Sequence, residues 1–259
     1  MAWMRPRSPT RCARGWGPVA KRAFDIVFAA LVLVATAPIT LTAMLLVWAE
    51  DRHNPLYFAP RAGQGDRDFT MIKIRSMRVG ADRGAVSTSA GDRRITRIGH
   101  IIRRFKLDEL SQFWNVLAGT MSVVGPRPTT RRGGADLYTD EERRLLSVRP
   151  GITDLASIVF SDEGEILAAT DDPEAAYNHL IRPWKSRLGL LYIDHRSFWL
   201  DLRIVWLTAL AVPWKAGALA GVGNILRELG ADPALRDICA RRGPLPEGLP
   251  PGLTAAPVA

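Results

Sequence analysis

The sequence predicts an α+β protein that is mostly helical and carries a membrane helix near its N-terminus. Three observations predict this fold class: an apolar segment at residues 24–49 with a proline inside it, a Gly-Gln-Gly-Asp turn between two short apolar runs, and helical spacing of apolar residues further on. We expect a basic flexible tail over residues 1–22, a membrane helix over 23–50, a compact domain over 51–222 and a disordered Pro/Ala/Gly-rich tail over 223–259.

The chain is basic, with 35 Lys and Arg residues against 26 Asp and Glu residues and a formal charge of +9. This balance favours an anionic partner, which leaves nucleic acid, an anionic membrane surface and a phosphorylated substrate open. Cys12 and Cys239 lie at opposite ends of the sequence without metal-ligand spacing, so the sequence supports neither a disulfide scaffold nor a zinc site. We therefore expect the soluble part to lie in a reducing, cytoplasmic environment.

The apolar segment has two possible arrangements in a membrane. As one straight helix its 26 residues would reach about 39 Å, which exceeds the hydrocarbon core of about 30 Å. Pro38 removes a backbone donor and leaves 14 residues before it and 11 after it, and neither part crosses alone. Because both flanks are basic, the positive-inside tendency favours a chain that returns to its starting face. On the residues alone, spanning and returning both stay open.

The next segment, at residues 55–77, predicts a β-hairpin around the Gly-Gln-Gly-Asp turn. On a strand over residues 69–75, Lys73 and Arg75 would share one face because side chains alternate with a period of two. Two cations on one side of a short strand suit a diphosphate, whereas an ordinary solvated strand face is the competing interpretation.

An adjacent acidic pair, Asp108 and Glu109, follows an apolar helical stripe that ends at Phe105, and a second stripe starts at Leu110. Asp108 is therefore expected to be an N-cap and Glu109 a first-turn acid, since both would stabilise a helix start. The surroundings point to chemistry as well, because the pair is embedded among cations: Arg93, Arg94, Arg97, Arg103, Arg104, Lys106 and Arg127. A carboxylate pair among so many cations indicates a site that handles phosphate.

An ordered set of motifs runs from Lys21 to about Leu210. It comprises KRAFD before the apolar segment, Arg61 and Gly63 in the hairpin, KIRSM, RITRIG, LDELSQFWNVLAGTMSVVGPRP and VRPGIT. This set resembles the bacterial sugar transferases known as monotopic phosphoglycosyl transferases. The resemblance implies transfer of a sugar 1-phosphate from a UDP-sugar to polyprenyl (undecaprenyl) phosphate with release of UMP, the first membrane step of a bacterial glycan or exopolysaccharide pathway.

The resemblance also implies roles for individual residues. Asp108 corresponds to the nucleophile that forms an aspartyl phospho-sugar, and Glu109 to the residue associated with Mg²⁺, a hard cation suited to diphosphate. Basic residues at the remaining positions would bind the phosphates: Lys73, Arg75, Arg103 and Arg127. The apolar segment corresponds to a re-entrant helix, broken at its proline, with both ends on the cytoplasmic face of the bacterial inner (cytoplasmic) membrane.

Three features later in the chain bear on substrate and membrane contact. Residues 197–214 carry three tryptophans in an apolar stretch, which fits either an interfacial helix or a core helix. Asp154 stands where the family usually has glycine, so the following region bears on which sugar is recognised. Glu163 and Glu165 are candidates for contacts with sugar hydroxyls, with a solvated acidic loop as the alternative.

Two other classes of function remain as alternatives. One is a catalytically inactive membrane scaffold of the same fold, suggested by the altered region after PGIT. The other is a nucleic-acid-binding protein, which only the charge supports, because aromatic-basic interleaving and a recognition-helix signature are missing. We therefore expect UDP-sugar, polyprenyl phosphate and membrane lipid as partners and no nucleic acid, while formation of a homo-oligomer stays open.

Overall fold

The computed structural model describes residues 17–81, 92–131 and 134–253. Within these residues the protein is mostly helical with two small sheets, as predicted. The strands are β1 Leu56–Ala62, β2 Asp68–Ile74, β3 Ser122–Val124 and β4 Gly151–Thr153. The helices are α1 Pro18–Asp51, α2 Arg97–Arg104, α3 Gln112–Ala118, α4 Leu155–Val159, α5 Glu163–Ala168, α6 Pro173–Ala176, α7 Arg182–His195, α8 Phe198–Ala211, α9 Lys215–Glu228 and α10 Pro233–Cys239.

Helix α1 contains the whole apolar segment. It starts at Pro18, where the missing N–H and the fixed φ of proline suit a first helical turn, and it ends at Arg52 in the left-handed conformation. The expected boundary at residue 23 is therefore wrong, and the rest of the expected basic tail, residues 1–16, lies outside the described residues. Among the described helices, α1 is the one long and apolar enough to cross a membrane by length and composition.

Pro38 lies inside α1, and the helix continues through it. The Thr36 hydroxyl donates to the Val32 carbonyl at 2.7 Å, and the Thr42 hydroxyl donates to the Pro38 carbonyl at 2.8 Å. Such back-bonding often bends helices, as does an internal proline. Much of the surrounding surface is apolar and exposed, with Val34 77% exposed and Leu41 64% exposed, so the middle of α1 has few protein neighbours.

The N-terminal end of α1 is fixed to the folded domain by a buried polar network. The Lys21 ammonium contacts the Asp201 carboxylate of α8 at 2.5 Å, and it also lies 3.4 Å from Asp25. The fully buried Asp25 accepts hydrogen bonds from the Ser122 hydroxyl and the Val123 N–H, both at 3.1 Å. Buried charges are tolerated when they are paired and hydrogen-bonded, so this network ties the start of α1 to β3 and α8.

The C-terminal end of α1 is fixed to the same domain. Both terminal guanidinium nitrogens of Arg75 donate to the Asp51 carboxylate at 2.6 Å, in the planar two-bond geometry that arginine favours. The Arg97 N–H donates to the Glu50 carboxylate at 3.0 Å, which joins the same end to α2. Both ends of α1 therefore contact one body of protein.

The predicted hairpin is confirmed: β1 and β2 pair antiparallel, with Arg61 opposite Phe69 and Tyr57 opposite Lys73. The second sheet is a short parallel pair that joins β3 to β4. In this pair a Cβ on Gly151 would lie 2.1 Å from the Gly125 nitrogen, so only glycine allows the two chains to approach this closely. The two loops that carry GPRP and PGIT are thereby held backbone to backbone.

Helix α8 has features of both a core helix and an interfacial helix, the two interpretations of residues 197–214. Leu200, Ile204 and Leu207 are buried in the core, while Trp199 and Trp206 are exposed on the other side of the helix. One face therefore packs as a core helix does, and the opposite face has the aromatic character of an interfacial helix.

The prediction of a disordered tail over residues 223–259 is wrong for the described residues up to 253. Helix α9 continues to Glu228, and α10 buries Leu235 and Cys239 in the main core. The following segment packs on α7, where the Trp184 indole N–H donates to the Pro246 carbonyl at 3.2 Å. The composition is rich in Pro, Ala and Gly, but a few apolar side chains at helical spacing are enough to order it.

Candidate active site

The acidic pair lies on a turn between two helices. Lys106 adopts the left-handed conformation (φ 55°) just after α2, and a turn of 3-10 helix follows at Leu107–Glu109. Helix α3 begins only at Gln112, and the predicted N-cap role of Asp108 is therefore wrong. Neither the 3-10 turn nor α3 has a cap hydrogen bond from the Asp108 side chain, so the capping explanation for this carboxylate falls away.

Helix α3 is tied to strand β2 by two polar side chains that the sequence analysis did not single out. The Asn115 amide accepts from the Ile72 N–H at 2.8 Å and donates to the Thr70 carbonyl at 2.7 Å. The Ser111 hydroxyl donates to the Ile72 carbonyl at 3.1 Å. Ser111 and Asn115 are four residues apart, a spacing that places both on the same side of a helix and is the sequence signal that would have found them. These bonds fix the acidic turn against β2.

Strand β2 places Lys73 beside the acidic turn. Its ammonium lies 3.6 Å from the Asp108 carboxylate. Burial lowers the pKa of Lys73, and the charges of Asp108 and Glu109 oppose that effect. Within the described parts of the chain, no hydrogen-bond donor contacts the Asp108 carboxylate. This carboxylate is mostly buried, has a cation beside it and keeps its lone pairs available.

Glu109 has a different environment from its neighbour. The guanidinium of Arg127 binds it through two nitrogens, at 2.5 and 3.1 Å, and also donates to the Ile152 carbonyl at 2.9 Å. Burial raises the pKa of Glu109, but the charge and hydrogen bonds of Arg127 outweigh it and bring the pKa down to about 2. Glu109 is therefore ionised throughout the physiological pH range.

The parallel pair of strands β3 and β4 fixes the position of Arg127. The Gly125 N–H donates to the Thr153 carbonyl at 3.1 Å, and the Gly151 N–H donates to the Pro126 carbonyl at 3.0 Å. The proline on each side of Arg127 restricts the backbone further. The GPRP and PGIT motifs, which are distant in sequence, thus form one rigid support for this arginine.

Two further arginines complete the cationic surroundings. Arg103 of α2 donates from Nε to the Ser76 hydroxyl at 2.9 Å; burial lowers its pKa, and the charge of Asp108 opposes that effect. Arg61 of β1, which no site prediction included, is close enough to Lys73 and Arg127 for its charge to lower the pKa of Lys73. The available signal was its place, with Gly63, in the ordered set of motifs noted in the sequence.

Arg75 does not join this group. Strand β2 ends at Ile74, so Lys73 and Arg75 do not share a strand face as predicted. Arg75 instead turns to Asp51 and donates from Nε to the Asn54 carbonyl at 2.8 Å. Its donors serve the end of α1, and the structure gives no geometric support for a role in phosphate binding.

The region after Thr153 lies on the Arg127 side of the site. Asp154 caps α4 by accepting from the N–H and hydroxyl of Ser157, both at 2.6 Å. Glu163 forms an ion pair with Lys185 at 2.5 Å. Burial lowers the pKa of Lys185, but the charges of Tyr177 and Glu163 raise it above its ordinary value, and the charge of Arg127 has a smaller lowering effect. Of the two glutamates proposed for sugar contact, Glu163 is paired with Lys185, while Glu165 is exposed.

The donor set suits a magnesium ion only together with substrate oxygens. The described residues contain no group of three His, Cys, Asp or Glu side chains that would form a complete metal cage. Mg²⁺ usually keeps several waters and binds through one or two carboxylates and substrate phosphates. Glu109 is ionised, and each of its oxygens has a lone pair beyond the one that Arg127 uses. The residues therefore fit the ion.

The fold and the site combine an acidic pair among cations with an apolar, outward-facing helix. The model for the family described as bacterial sugar transferase matches residues 16–215. The chain therefore belongs to the bacterial sugar transferase family, and the predicted membership of a family of transferase enzymes is confirmed.

Individual relatives support the same assignment. The chain is 40% identical over 200 residues, 74% of its length, to an undecaprenyl-phosphate glucose phosphotransferase of Komagataeibacter xylinus. It is 38% identical over 201 residues, 75% of its length, to a UDP-glucose:undecaprenyl-phosphate glucose-1-phosphate transferase of Xanthomonas campestris pv. campestris. The matches cover 36% and 39% of these two proteins, so the chain spans about two fifths of their length. An exopolysaccharide production protein of Rhizobium leguminosarum bv. phaseoli is 35% identical over 202 residues, which are 74% of this chain and 94% of that protein.

Proposed function

We propose that this chain transfers a sugar 1-phosphate from a UDP-sugar to polyprenyl (undecaprenyl) phosphate and releases UMP, as the first membrane step of a bacterial glycan or exopolysaccharide pathway. The difference between the two acids carries the proposal: Arg127 holds Glu109, whereas Asp108 has Lys73 beside it and receives no hydrogen bond from the described residues. Two relatives are named for glucose phosphate transfer to undecaprenyl phosphate, so UDP-glucose is the first donor to test.

The reaction proceeds in two displacements at one phosphorus atom. An Asp108 oxygen attacks the sugar-bearing phosphorus of the UDP-sugar, and the bond to the bridging oxygen breaks, so that UMP leaves with the electron pair. A phosphate oxygen of the polyprenyl phosphate then attacks the same phosphorus, and the aspartyl oxygen leaves as a free carboxylate. Such a covalent step divides one difficult transfer into two easier ones.

The cations around Asp108 support these steps by binding charge. Lys73 is a compact charge suited to a phosphate oxygen, and Arg103 presents a planar donor group for two oxygens. Arg127 keeps Glu109 ionised and oriented, and Glu109 would hold Mg²⁺ through its remaining lone pairs. When bound there, the ion would supply positive charge to stabilise the leaving phosphate.

We also propose that α1 is a re-entrant anchor and that the catalytic domain lies on the cytoplasmic face of the inner membrane. A straight helix of 34 residues is about 51 Å long, yet both ends of α1 contact the same domain through Lys21 and Asp51. A helix that crossed a bilayer would separate these ends on opposite faces. The internal proline and the threonine back-bonding supply a place for the bend.

The nucleophile is tested by incubating the protein with UDP-glucose, Mg²⁺ and polyprenyl phosphate and measuring UMP. Without acceptor, intact-protein mass spectrometry should show an adduct of one sugar phosphate. Asp108→Asn should abolish both the adduct and UMP, whereas Asp136→Asn, at an exposed carboxylate, should retain both. A chelator should stop UMP formation until Mg²⁺ is added back. Release of UDP, or full activity of Asp108→Asn, would exclude this mechanism, and absence of product with every UDP-sugar would favour the inactive scaffold.

The topology is tested with single cysteines at the two ends of α1. Val19→Cys and His53→Cys place thiols at exposed positions, in a background where Cys12 is serine and Cys239 is buried. A membrane-impermeant maleimide should leave both unlabelled in intact cells and label both in inverted vesicles. Labelling of one position from each side would show a spanning helix.

A further inference from the structure

A buried glutamine next to the acidic turn has an amide group without a partner. Gln112 is fully buried, yet neither its amide nitrogen nor its amide oxygen forms a hydrogen bond within the described parts of the chain. Nearly all buried polar groups in folded proteins are hydrogen-bonded, so each exception calls for an explanation. Two N–H donors and one carbonyl oxygen of Gln112 are therefore available inside the protein.

Gln112 belongs to a stripe of buried polar side chains that faces strand β2. Asp108, Ser111, Gln112 and Asn115 are spaced by three and four residues, and all four are buried. Leu110 and Ser111 have right-handed helical dihedral angles, so residues at this spacing lie on one side of the chain. Ser111 and Asn115 both bond to β2, which fixes the direction of the stripe. Gln112 thus lies one helical turn after Asp108, on the same side.

The amide of Gln112 and the carboxylate of Asp108 complement each other chemically. The carboxylate receives no hydrogen bond from the described residues, and the Lys73 ammonium lies 3.6 Å from it. An amide N–H is a donor, and an ionised carboxylate accepts through both of its oxygens. Hydrogen bonds in active sites often tighten only when the substrate is bound. A bond from Gln112 to Asp108 therefore needs only that the carboxylate turns away from Lys73.

We propose that Gln112 is a positioning residue, which donates from its amide nitrogen to the non-attacking oxygen of Asp108 during the reaction. The inference rests on the proposed function, in which Asp108 is the nucleophile. When Lys73 binds a substrate phosphate, the bond from Gln112 holds the plane of the carboxylate, so that its other oxygen points at the phosphorus. The oxygen held by Gln112 becomes the carbonyl oxygen of the aspartyl phosphate and is a carboxylate oxygen again after the second displacement. Gln112 itself transfers no proton.

A neutral donor suits the nucleophile better than a cation does. Arg127 brings the pKa of Glu109 down to about 2, and a carboxylate that is bound so strongly is a weak nucleophile. A hydrogen bond from a neutral group is about half as strong as one from an ionised donor. Gln112 can therefore orient Asp108 and leave its electron pair reactive, while Arg127 holds the neighbouring Glu109 in place.

Gln112→Met removes the amide and nearly keeps the size of the side chain. The matched control is Gln64→Met, because Gln64 is the other glutamine of the chain and is exposed, where it donates to the Ser147 carbonyl. With saturating UDP-glucose and Mg²⁺ but no acceptor, Gln112→Met should form the sugar-phosphate adduct about tenfold more slowly or worse, the factor expected for one hydrogen bond to a charged group. The KM for UDP-glucose should change by less than about twofold, and Gln64→Met should match the unchanged protein.

Thermal unfolding separates this role from a structural one. Since the amide of Gln112 has no partner among the described residues, methionine in its place should leave the Tm unchanged or raise it. A full rate of adduct formation in Gln112→Met overturns the inference, because a buried water would then be enough to satisfy the amide. A loss that appears in the KM for UDP-glucose and leaves the saturated rate unchanged overturns it as well.

A direct readout needs no substitution at Gln112. With ¹⁵N-labelled glutamine the protein gives two side-chain amide signals, and Gln64→Met identifies the signal of Gln64. As the adduct forms, one amide proton of Gln112 should move to lower field, as expected for a new hydrogen bond, while the signal of Gln64 stays in place. A Gln112 signal that does not move while the adduct forms overturns the inference. Absence of adduct in the unchanged protein with every UDP-sugar overturns the proposed function instead.

Discussion

Replacing Glu109 by glutamine tests how strongly its partly buried pair with Arg127 stabilises the acidic turn. Glutamine has nearly the shape of a protonated glutamate, so the variant resembles the protein with this one group neutralised. The pKa of Glu109 falls from its ordinary value of 4.5 to about 2, since Arg127 outweighs the cost of burial. A pKa shift of one unit corresponds to about 1.4 kcal/mol, so the ionised group contributes about 3 kcal/mol to stability at pH 7.

The sign of the pH dependence follows from the lowered pKa. The unfolded chain takes up a proton near pH 4.5, whereas the folded protein does so only near pH 2. The contribution is therefore fully present above pH 4.5 and is lost as the pH falls from 4.5 toward 2, with about 1 kcal/mol already lost at pH 4. The difference between the unchanged protein and Glu109→Gln should shrink over this interval.

Thermal unfolding in detergent or nanodiscs measures this difference. For a domain of this size, 1 kcal/mol shifts the Tm by about 2–4 °C, so Glu109→Gln should lower the Tm by about 6–12 °C at pH 7. Glu228→Gln is the control, because Glu228 pairs with Arg203 on the surface and no measurable change is expected. A Tm difference below about 2 °C at pH 7, or one that grows as the pH falls to 4, would refute the reasoning.

Three further predictions concern one cation, one glycine and the C-terminal helix. Lys73→Met should lower the rate of UMP release by about 100-fold or more without lowering the Tm, since removing one preorganised charge beside a reacting group typically lowers the rate by that factor. A smaller loss would contradict the role of Lys73 at the reacting phosphate. Gly151→Ala should lower the free energy of unfolding by about 1–3 kcal/mol, because the new Cβ would lie 2.1 Å from a backbone nitrogen. Gly223→Ala is the control: this glycine has open space around it, so the variant should be neutral or stabilised. Equal Tm values for the two variants would contradict the close approach at Gly151. In chemical unfolding, Leu235→Ala should destabilise the protein by about 2–5 kcal/mol because Leu235 is buried. Leu253→Ala should not destabilise it because Leu253 is exposed. If the C-terminal segment were disordered, the two variants would not differ.

The sequence was sufficient for those parts of the fold that have a strong local pattern. Continuous apolarity predicted α1, and a glycine-rich turn between apolar runs predicted the β1–β2 hairpin. The acidic pair was found because two carboxylates among many cations are unusual in composition, and the structure brings Lys73 and Arg127 to them. These signals need no knowledge of distant contacts.

Features that depend on distant contacts were not predictable from the sequence. Asp108 was expected at a helix start because the apolar stripe resumes at Leu110, but the left-handed Lys106 inserts a separate turn. Arg75 was expected to point the same way as Lys73, but it forms an ion pair with Asp51 at the C-terminal end of α1. The order of the C-terminal segment comes from its packing on α7, which composition does not encode.

The polar network at the start of α1 has a consequence for the order of synthesis. Lys21 and Asp25 leave the ribosome well before Asp201, the partner of Lys21, which follows 180 residues after it. At about 5–20 residues per second, the apolar helix waits about 9–36 s before this partner exists. During that interval the network is incomplete, because Asp201 has not yet been made. Ser122 arrives first, and α8 closes the network last. Helix α1 is thus made before the residue that completes its polar network, so the final packing of its N-terminal end depends on the synthesis of α8.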